Sequence, residues 1–399
     1  MRLFRLLCPL IGLLFAFQFN AYGQSPYTIE KKIDKKVTPI AIQSGDASAQ
    51  ALASFAFNTH GAFSVTTPSK ASAVLVLTPL TGNRCQLKIV TGSPAQVLYE
   101  GTADGSSPES AILRACDAAV KALTNKPGYF GGQIAFVSNR TGNREVWMGD
   151  LFFRWVKPLT TDKSNALRPY LAPDAKTVFY RSYYRTGFPD VFKQDVATGR
   201  RVPFASYKGT NAGGAVSPNG QQVALTLSAP GNMELYVADI NSSGKPLRLT
   251  TNRYVETDPA WSPDGRRLVV TSDQLGYPQL YEIPSRGGPM TRLQTNISKY
   301  CAEPSWNPLD ESKIVFTANM GGSYELALYQ FGQGSAQVLT SFPGDAKEAV
   351  WLNDGRHIIY TEKAPGNREK LVIFDSETKK RTPITPDNFG NASQASFAY

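Results

Sequence analysis

A seven-residue stretch, Pro259-Ala260-Trp261-Ser262-Pro263-Asp264-Gly265, has counterparts along the chain at an interval of 45 residues. One step back stands Gly214-Ala215-Val216-Ser217-Pro218-Asn219-Gly220, and two steps back Pro169-Tyr170-Leu171-Ala172-Pro173-Asp174. Forward, the interval lands on Pro304-Ser305-Trp306-Asn307-Pro308 and then Ala349-Val350-Trp351-Leu352-Asn353-Asp354-Gly355. A period of about 40–50 residues made of short strands is the signature of a propeller.

Each unit reads as one four-stranded blade. Pro sets the first corner of a tight turn, and Asp or Asn before Gly tolerates the left-handed corner that completes it. An apolar strand follows every turn, as at Leu268 to Ser272 and His357 to Thr361. A third strand of alternating character comes next, such as Gln279 to Ile283, and a short one closes the unit, such as Leu247 to Thr250. The strand after the turn occurs six times, beginning at Ile134. The strand before the turn also occurs six times if Gln394 to Tyr399 is the last. The two chain ends then share a blade, which closes the ring without exposed edges. A generic all-β sandwich would not keep this register.

Ahead of the repeats the pattern changes. Arg2 and Arg5, an apolar run from Leu6 to Phe19, and Ala21-Tyr22-Gly23 read as an export leader over 1–23, cleaved after Gly23. Cys8 lies too early in that run to be a lipidation site. Residues 24–125 mix strands with two helices. One runs from Asp46 to Phe57, capped by Asp46 or Ser48; the other runs from Pro108 to Leu123, capped by Ser107. Strands are expected at Thr38–Ile42, Ala62–Thr66, Ser72–Pro79, Arg84–Val90 and Gln96–Glu100. Gly and Pro127 mark 126–132 as a linker. The expected fold is multidomain: a small N-terminal α/β domain with a mixed sheet, then a C-terminal six-bladed β-propeller over 133–399.

The net charge of +10 is scattered through turns and strand edges. Nucleic-acid recognition wants a basic stripe on one face, so a soluble basic surface is the better reading. The lysines at 31, 32, 35 and 36 read as a solvated arm. Cys85 and Cys116 point into one small core, where they are either a disulfide or two buried thiols. Cys301 stands alone beside an inner strand, in a structural role.

Catalytic signatures are missing. The two histidines, His60 and His357, fall in different domains, out of the close register of a zinc site. Neither a G-x-S-x-G elbow nor a phosphate loop occurs. Asp174, Asp264 and Asp354 recur as turn formers. Asp273, Glu303, Glu325 and Glu348 are the carboxylates placed to approach an axial channel; a solvated or salt-bridged role competes with an ion site for each. Trp261, Trp306 and Trp351 occupy blade-packing positions.

With the leader and domain order, three motifs carry a family resemblance. They are Ile134-Ala135-Phe136-Val137-Ser138-Asn139-Arg140-Thr141-Gly142, Glu256-Thr257-Asp258-Pro259 continuing to Gly265, and Thr271-Ser272-Asp273-Gln274-Leu275-Gly276-Tyr277-Pro278-Gln279-Leu280-Tyr281. From about Ile134 onward the chain resembles the TolB family of the Tol-Pal system. The resemblance implies a non-catalytic, monomeric periplasmic scaffold without cofactor, peripheral to membranes and serving outer-membrane integrity and cell division. It implies docking of Pal, the peptidoglycan-associated lipoprotein, over one mouth of the channel, and engagement of the inner-membrane protein TolA by the N-terminal segment. Thr257 and Asp258 match the lipoprotein-contacting loop, with Thr210 and Gly213 at corresponding places one blade earlier. The lysine-rich arm and a first domain shortened after Ile42 depart from the family. The rival expectation is a substrate-gating or carbohydrate-binding propeller linked to peptidase or sugar-processing activity.

Overall fold

A computed structural model of the protein describes residues 37–241 and 244–399. The leader over 1–23 and the lysine-rich arm up to residue 36 lie outside the described residues.

The first domain carries a five-stranded sheet of β1 (Thr38–Ser44), β2 (Phe63–Val65), β3 (Ala73–Leu80), β4 (Arg84–Thr91) and β5 (Gln96–Asp104). Its order is β2-β1-β3-β4-β5. β1 runs parallel to β2 and β3, and the remaining pairs are antiparallel, so the sheet is mixed. The alternating burial of β3 and β4 turns Leu75, Leu77, Cys85, Leu87 and Ile89 to one face. Helices α1 (Ala47–Thr59) and α2 (Pro108–Thr124) cover that face. Asp46 caps α1 through Ala49 N–H, and Ser107 caps α2 through Ser110 N–H, with Pro108 in its first turn. Cys85 and Cys116 are buried free thiols packed in this core, not a disulfide. Burial raises both thiols, that of Cys85 to about 11.

The propeller has six four-stranded sheets. We number its blades from the shared one, where the last strand, Ser393–Ala398, pairs with Gln133–Ser138. The innermost strands of blades 2–6 are Ala166–Leu171, Asn211–Val216, Glu256–Trp261, Cys301–Trp306 and Asp345–Trp351. Trp261, Trp306 and Trp351 are buried between blades, and Trp261 Nε1 donates to Ala215 O of the preceding blade at 2.8 Å. Among the described residues no helix is long and apolar enough to cross a membrane.

Of residues 126–132, whose composition suggests a spacer, Gly128, Tyr129, Phe130 and Gly132 are buried instead, while Lys126 stays exposed. Tyr129 and Phe130 are both 0% exposed, in one apolar cluster spanning the first domain and blades 1 and 6. Phe57 meets Phe130 edge to face at 5.3 Å, and Tyr129 stacks on His60. Asp117 of α2 accepts the backbone N–H groups of Phe130 and Gly131 at 2.8 Å each. The first domain therefore rests on the face where the innermost strands end. Asn353 Nδ2 reaches Gly128 O at 2.8 Å on that face.

Candidate functional site

Among the described residues the opposite face, where loops lead into the innermost strands, is left open. There the ladder between innermost and second strands slips at one equivalent place in every blade. The residue in the slip takes a left-handed backbone: Arg168 (φ 51°), Gly213 (88°), Asp258 (50°), Glu303 (56°), Glu348 (59°) and Gln394 (56°). Such φ values are uncommon for non-glycine residues, and a bulge of this kind re-aims a side chain. Five of these positions thereby line an axial channel of about 470 Å³.

The side chains form a belt. Arg168 donates to Glu303 and lies 3.6 Å from Glu348 Oε1. Its own N–H donates to Gln394 Oε1 at 2.9 Å. Gln394 Nε2 donates to Glu348 Oε1 at 3.1 Å, and the Glu348 N–H to Glu303 Oε2 at 3.2 Å. Thr317 and Thr361, on the second strands, donate their hydroxyls to Glu303 and Glu348 at 2.9 and 2.8 Å. Burial pushes the Glu303 carboxyl up, but the Arg168 charge outweighs it and holds the group below its ordinary value. Asp258 stands outside this belt. Its side chain accepts from the Thr257 hydroxyl at 3.0 Å, and burial, reinforced by Glu303 against the pull of Arg168, raises it.

Of the residues singled out from sequence, Gly213 and Asp258 belong to the ring, and Thr257 supports Asp258. Thr210 lies in the adjoining loop, where its N–H donates to Ser228 Oγ at 2.7 Å. Glu303 and Glu348 do reach the channel, whereas Glu325 and Asp273 do not. Glu325 accepts from Thr340 Oγ1 at 2.6 Å and Phe342 N–H at 3.0 Å, a clasp between third and fourth strands that Glu145 repeats with Thr160. Asp273 takes the Val255 N–H at 2.8 Å on the loop surface. Arg168 and Gln394 were missed, although Arg168 stands at the same 45-residue interval as the others.

A second cluster lies under the first domain. The two histidines, distant in sequence, meet with ring centroids 4.4 Å apart. His357 is held between Asp354 Oδ2 at 2.5 Å and Asp375 Oδ2 at 3.3 Å, and Arg356 pairs with Asp375 at 2.7 Å. His60, Asp354 and His357 offer ligand atoms within 4.8 Å of one another, so the expectation of no His-based register is corrected across the domain boundary. Carboxylates flank both ring nitrogens of His357, an arrangement that suits an imidazolium. Burial works against that charge but the two carboxylates win, raising His357. Burial and the His357 charge instead hold His60 well below 6.5.

Fold and site together define a six-bladed β-propeller with a polar belt across its free mouth and an α/β domain seated on its other face. Residues 120–398 match the family description "TolB beta propeller domain". The chain belongs to that family. It is 33% identical over 156 residues to a protein TolB homolog of Chlorobium chlorochromatii, covering 38% of this chain and 34% of that one. It is 27% identical over 201 residues to the Tol-Pal system protein TolB of Bordetella pertussis, covering 49% and 46%. These matches thus span a third to about half of the curated relatives. TolB from Acinetobacter baumannii has a similar fold, with a TM-score of 0.80 and 24% identity over 91% of this chain and 97% of that one.

Proposed function

We propose that this chain is a non-catalytic periplasmic component of the Tol-Pal system. Its free propeller mouth docks a peptidoglycan-associated lipoprotein, and its N-terminal region engages a TolA-like inner-membrane protein. In this role it supports outer-membrane integrity and cell division. The observation that carries the reading is the ring of six equivalent slips, five of which line the channel at one mouth, on the face the first domain leaves uncovered. A charged, preorganised rim suits protein docking, where buried hydrogen-bonded charges fix register. The chemistry at the mouth also favours binding over catalysis, because Glu303 and Glu348 are committed to Arg168 and to strand hydroxyls.

Calorimetric titration with the lipoprotein's soluble domain tests the proposal. Replacing Thr257 and Asp258 together with Ala should weaken binding about ten- to a hundred-fold, the worth of one charge-assisted hydrogen bond. Arg286→Ala, exposed on the opposite face, should change nothing. Equal affinity for the double variant would move the site; absence of any binding by the wild type would end the Tol-Pal reading.

A further inference from the structure

In four blades the second strand offers a threonine beside the belt: Thr226, Thr271, Thr317 and Thr361, paired with Ala212, Thr257, Ala302 and Lys347. Blade 2 places Arg181 there, opposite Leu167. Where the pattern is complete, this side chain serves the next blade's ring residue: Thr271 Oγ1 accepts the Glu303 N–H at 3.2 Å, and Thr317 Oγ1 the Glu348 N–H at 3.2 Å. For Arg181 that next position is Gly213, the one ring member without a side chain. Glycine is required there, since a Cβ would stand 2.8 Å from Ala224 O and 2.9 Å from Leu225 Cα. The ring thus has a gap, and a cation stands beside it.

That cation is uncommitted. Among the described residues the Arg181 side chain makes no hydrogen bond or ion pair; its Nε is buried without a partner, and its nearest aromatic face, Tyr183, is 6.0 Å away. Its charge is felt at Tyr170 and Asp258, but Asp258 forms no ion pair with it. Leaving a guanidinium donor buried and unpaired costs stability, which a docking anion would return. The loops around this sector of the mouth have the same sign: Arg185, Lys208, Arg253 and Lys299 are exposed and unpaired with any described acid. Among them stand Tyr184, Phe188 and Tyr207, with Phe188 68% exposed.

We propose that Arg181 recognises an acidic side chain of the docked lipoprotein, whose carboxylate enters through the gap at Gly213 and pairs with the free guanidinium. The proposal rests on the lipoprotein reading of this mouth and adds the chemistry that the partner must bring: an acidic face with one carboxylate aimed at blade 2. A guanidinium fork suits a carboxylate because two N–H groups bond its oxygens in parallel.

The test uses the full mature chain and the lipoprotein's soluble domain, comparing wild type with Arg181→Gln and Arg181→Lys. Arg181→Gln should bind about ten- to a hundred-fold more weakly and with a flatter salt dependence, while Arg181→Lys recovers part of the affinity. Its thermal midpoint should stay level or rise, because a buried guanidinium donor without a partner has been removed. A structural arginine would lower it. Wild-type affinity in Arg181→Gln overturns the inference and leaves the lipoprotein reading standing. If the lipoprotein does not bind the wild type, that reading fails, and the carboxylate site is judged by a second probe. N-acetylglutamate added at millimolar concentration should shift the Arg181 Nε–H resonance against a chloride control of equal ionic strength, and an unmoved resonance refutes it.

Discussion

The hydroxyl of Tyr399 donates to Asp117 Oδ2 at 3.0 Å, tying the end of the chain to the second helix of the first domain. The same carboxylate anchors residues 130 and 131, and burial raises it to about 7 despite these donors. The last strand thus closes the ring, supplies Gln394 to the belt and fastens the first domain.

Deleting 394–399 should remove all three functions at once. Thermal unfolding of the truncated protein is expected at a markedly lower midpoint or with aggregation, since the shared blade loses its innermost strand. Tyr399→Phe isolates the Asp117 contact and should cost about 1 kcal/mol. An unchanged midpoint after the deletion would show that closure does not depend on this strand.

Gly61 lies where the first domain meets blade 6. A Cβ there would stand 2.1 Å from Asp375 Oδ2 and 2.2 Å from Thr378 Oγ1. Asp375 cannot swing away cheaply, because Arg356 and His357 hold it. Gly61→Ala should therefore destabilise by about 1–3 kcal/mol, as overpacking does. Denaturant unfolding checks this, and a neutral result would mean that the seam is slack.

Two histidines give the seam opposite pH limbs. His357 is raised above its unfolded value of about 6.5, so its stabilisation is full below that pH and is lost as pH rises through its folded pKa. His60 is lowered, so its neutral form supports folding above about 6.5, and that support fades as pH falls toward its own pKa. The groups facing the pair are Asp354, Arg356, Asp375, Glu377 and Tyr129. Asp354→Asn should flatten the alkaline decline of the thermal midpoint. A wild-type midpoint that stays flat above neutral pH would dismiss the imidazolium.

Arg168→Gln would leave Glu303 and Glu348, neighbours on blades 5 and 6, without the cation they share. With the Arg168 side chain 30% exposed, a loss of about 1–2 kcal/mol at neutral pH is expected. The loss should shrink toward acid pH, as Glu303, held below its ordinary value by Arg168, loses its charge. Denaturant curves at several pH values decide it; a pH-independent deficit would point to lost packing.

Blade number and ring closure were legible because each rests on local chemistry repeated at a known interval, and the helix starts because Ser107, and Asp46 as one of two candidates with Ser48, carry capping side chains. Asp46 and Ser107 announce their helices within three residues. The belt was half legible. Glu303 and Glu348 could be picked out as carboxylates, and Asp258 beside them through the family resemblance, but strand alternation does not reveal a left-handed slip that re-aims one residue. Arg168 therefore reads as an ordinary strand residue. The histidine pair was hidden for another reason: residues 60 and 357 meet only because Tyr129 and Phe130 bury what composition marks as a spacer.

Each belt residue sits on a backbone slip held by its own blade, and its side chain leaves the sheet without entering a hydrophobic core. Gly213 is dictated by backbone geometry, whereas Arg168, Glu303, Glu348 and Gln394 are dictated by one another through the belt. The mouth works as a short alphabet, written one letter per blade on a frame that does not change with the spelling. A change of the letter at Arg168 alters what Glu303 and Glu348 must answer, so the belt is respelled as a word and not letter by letter.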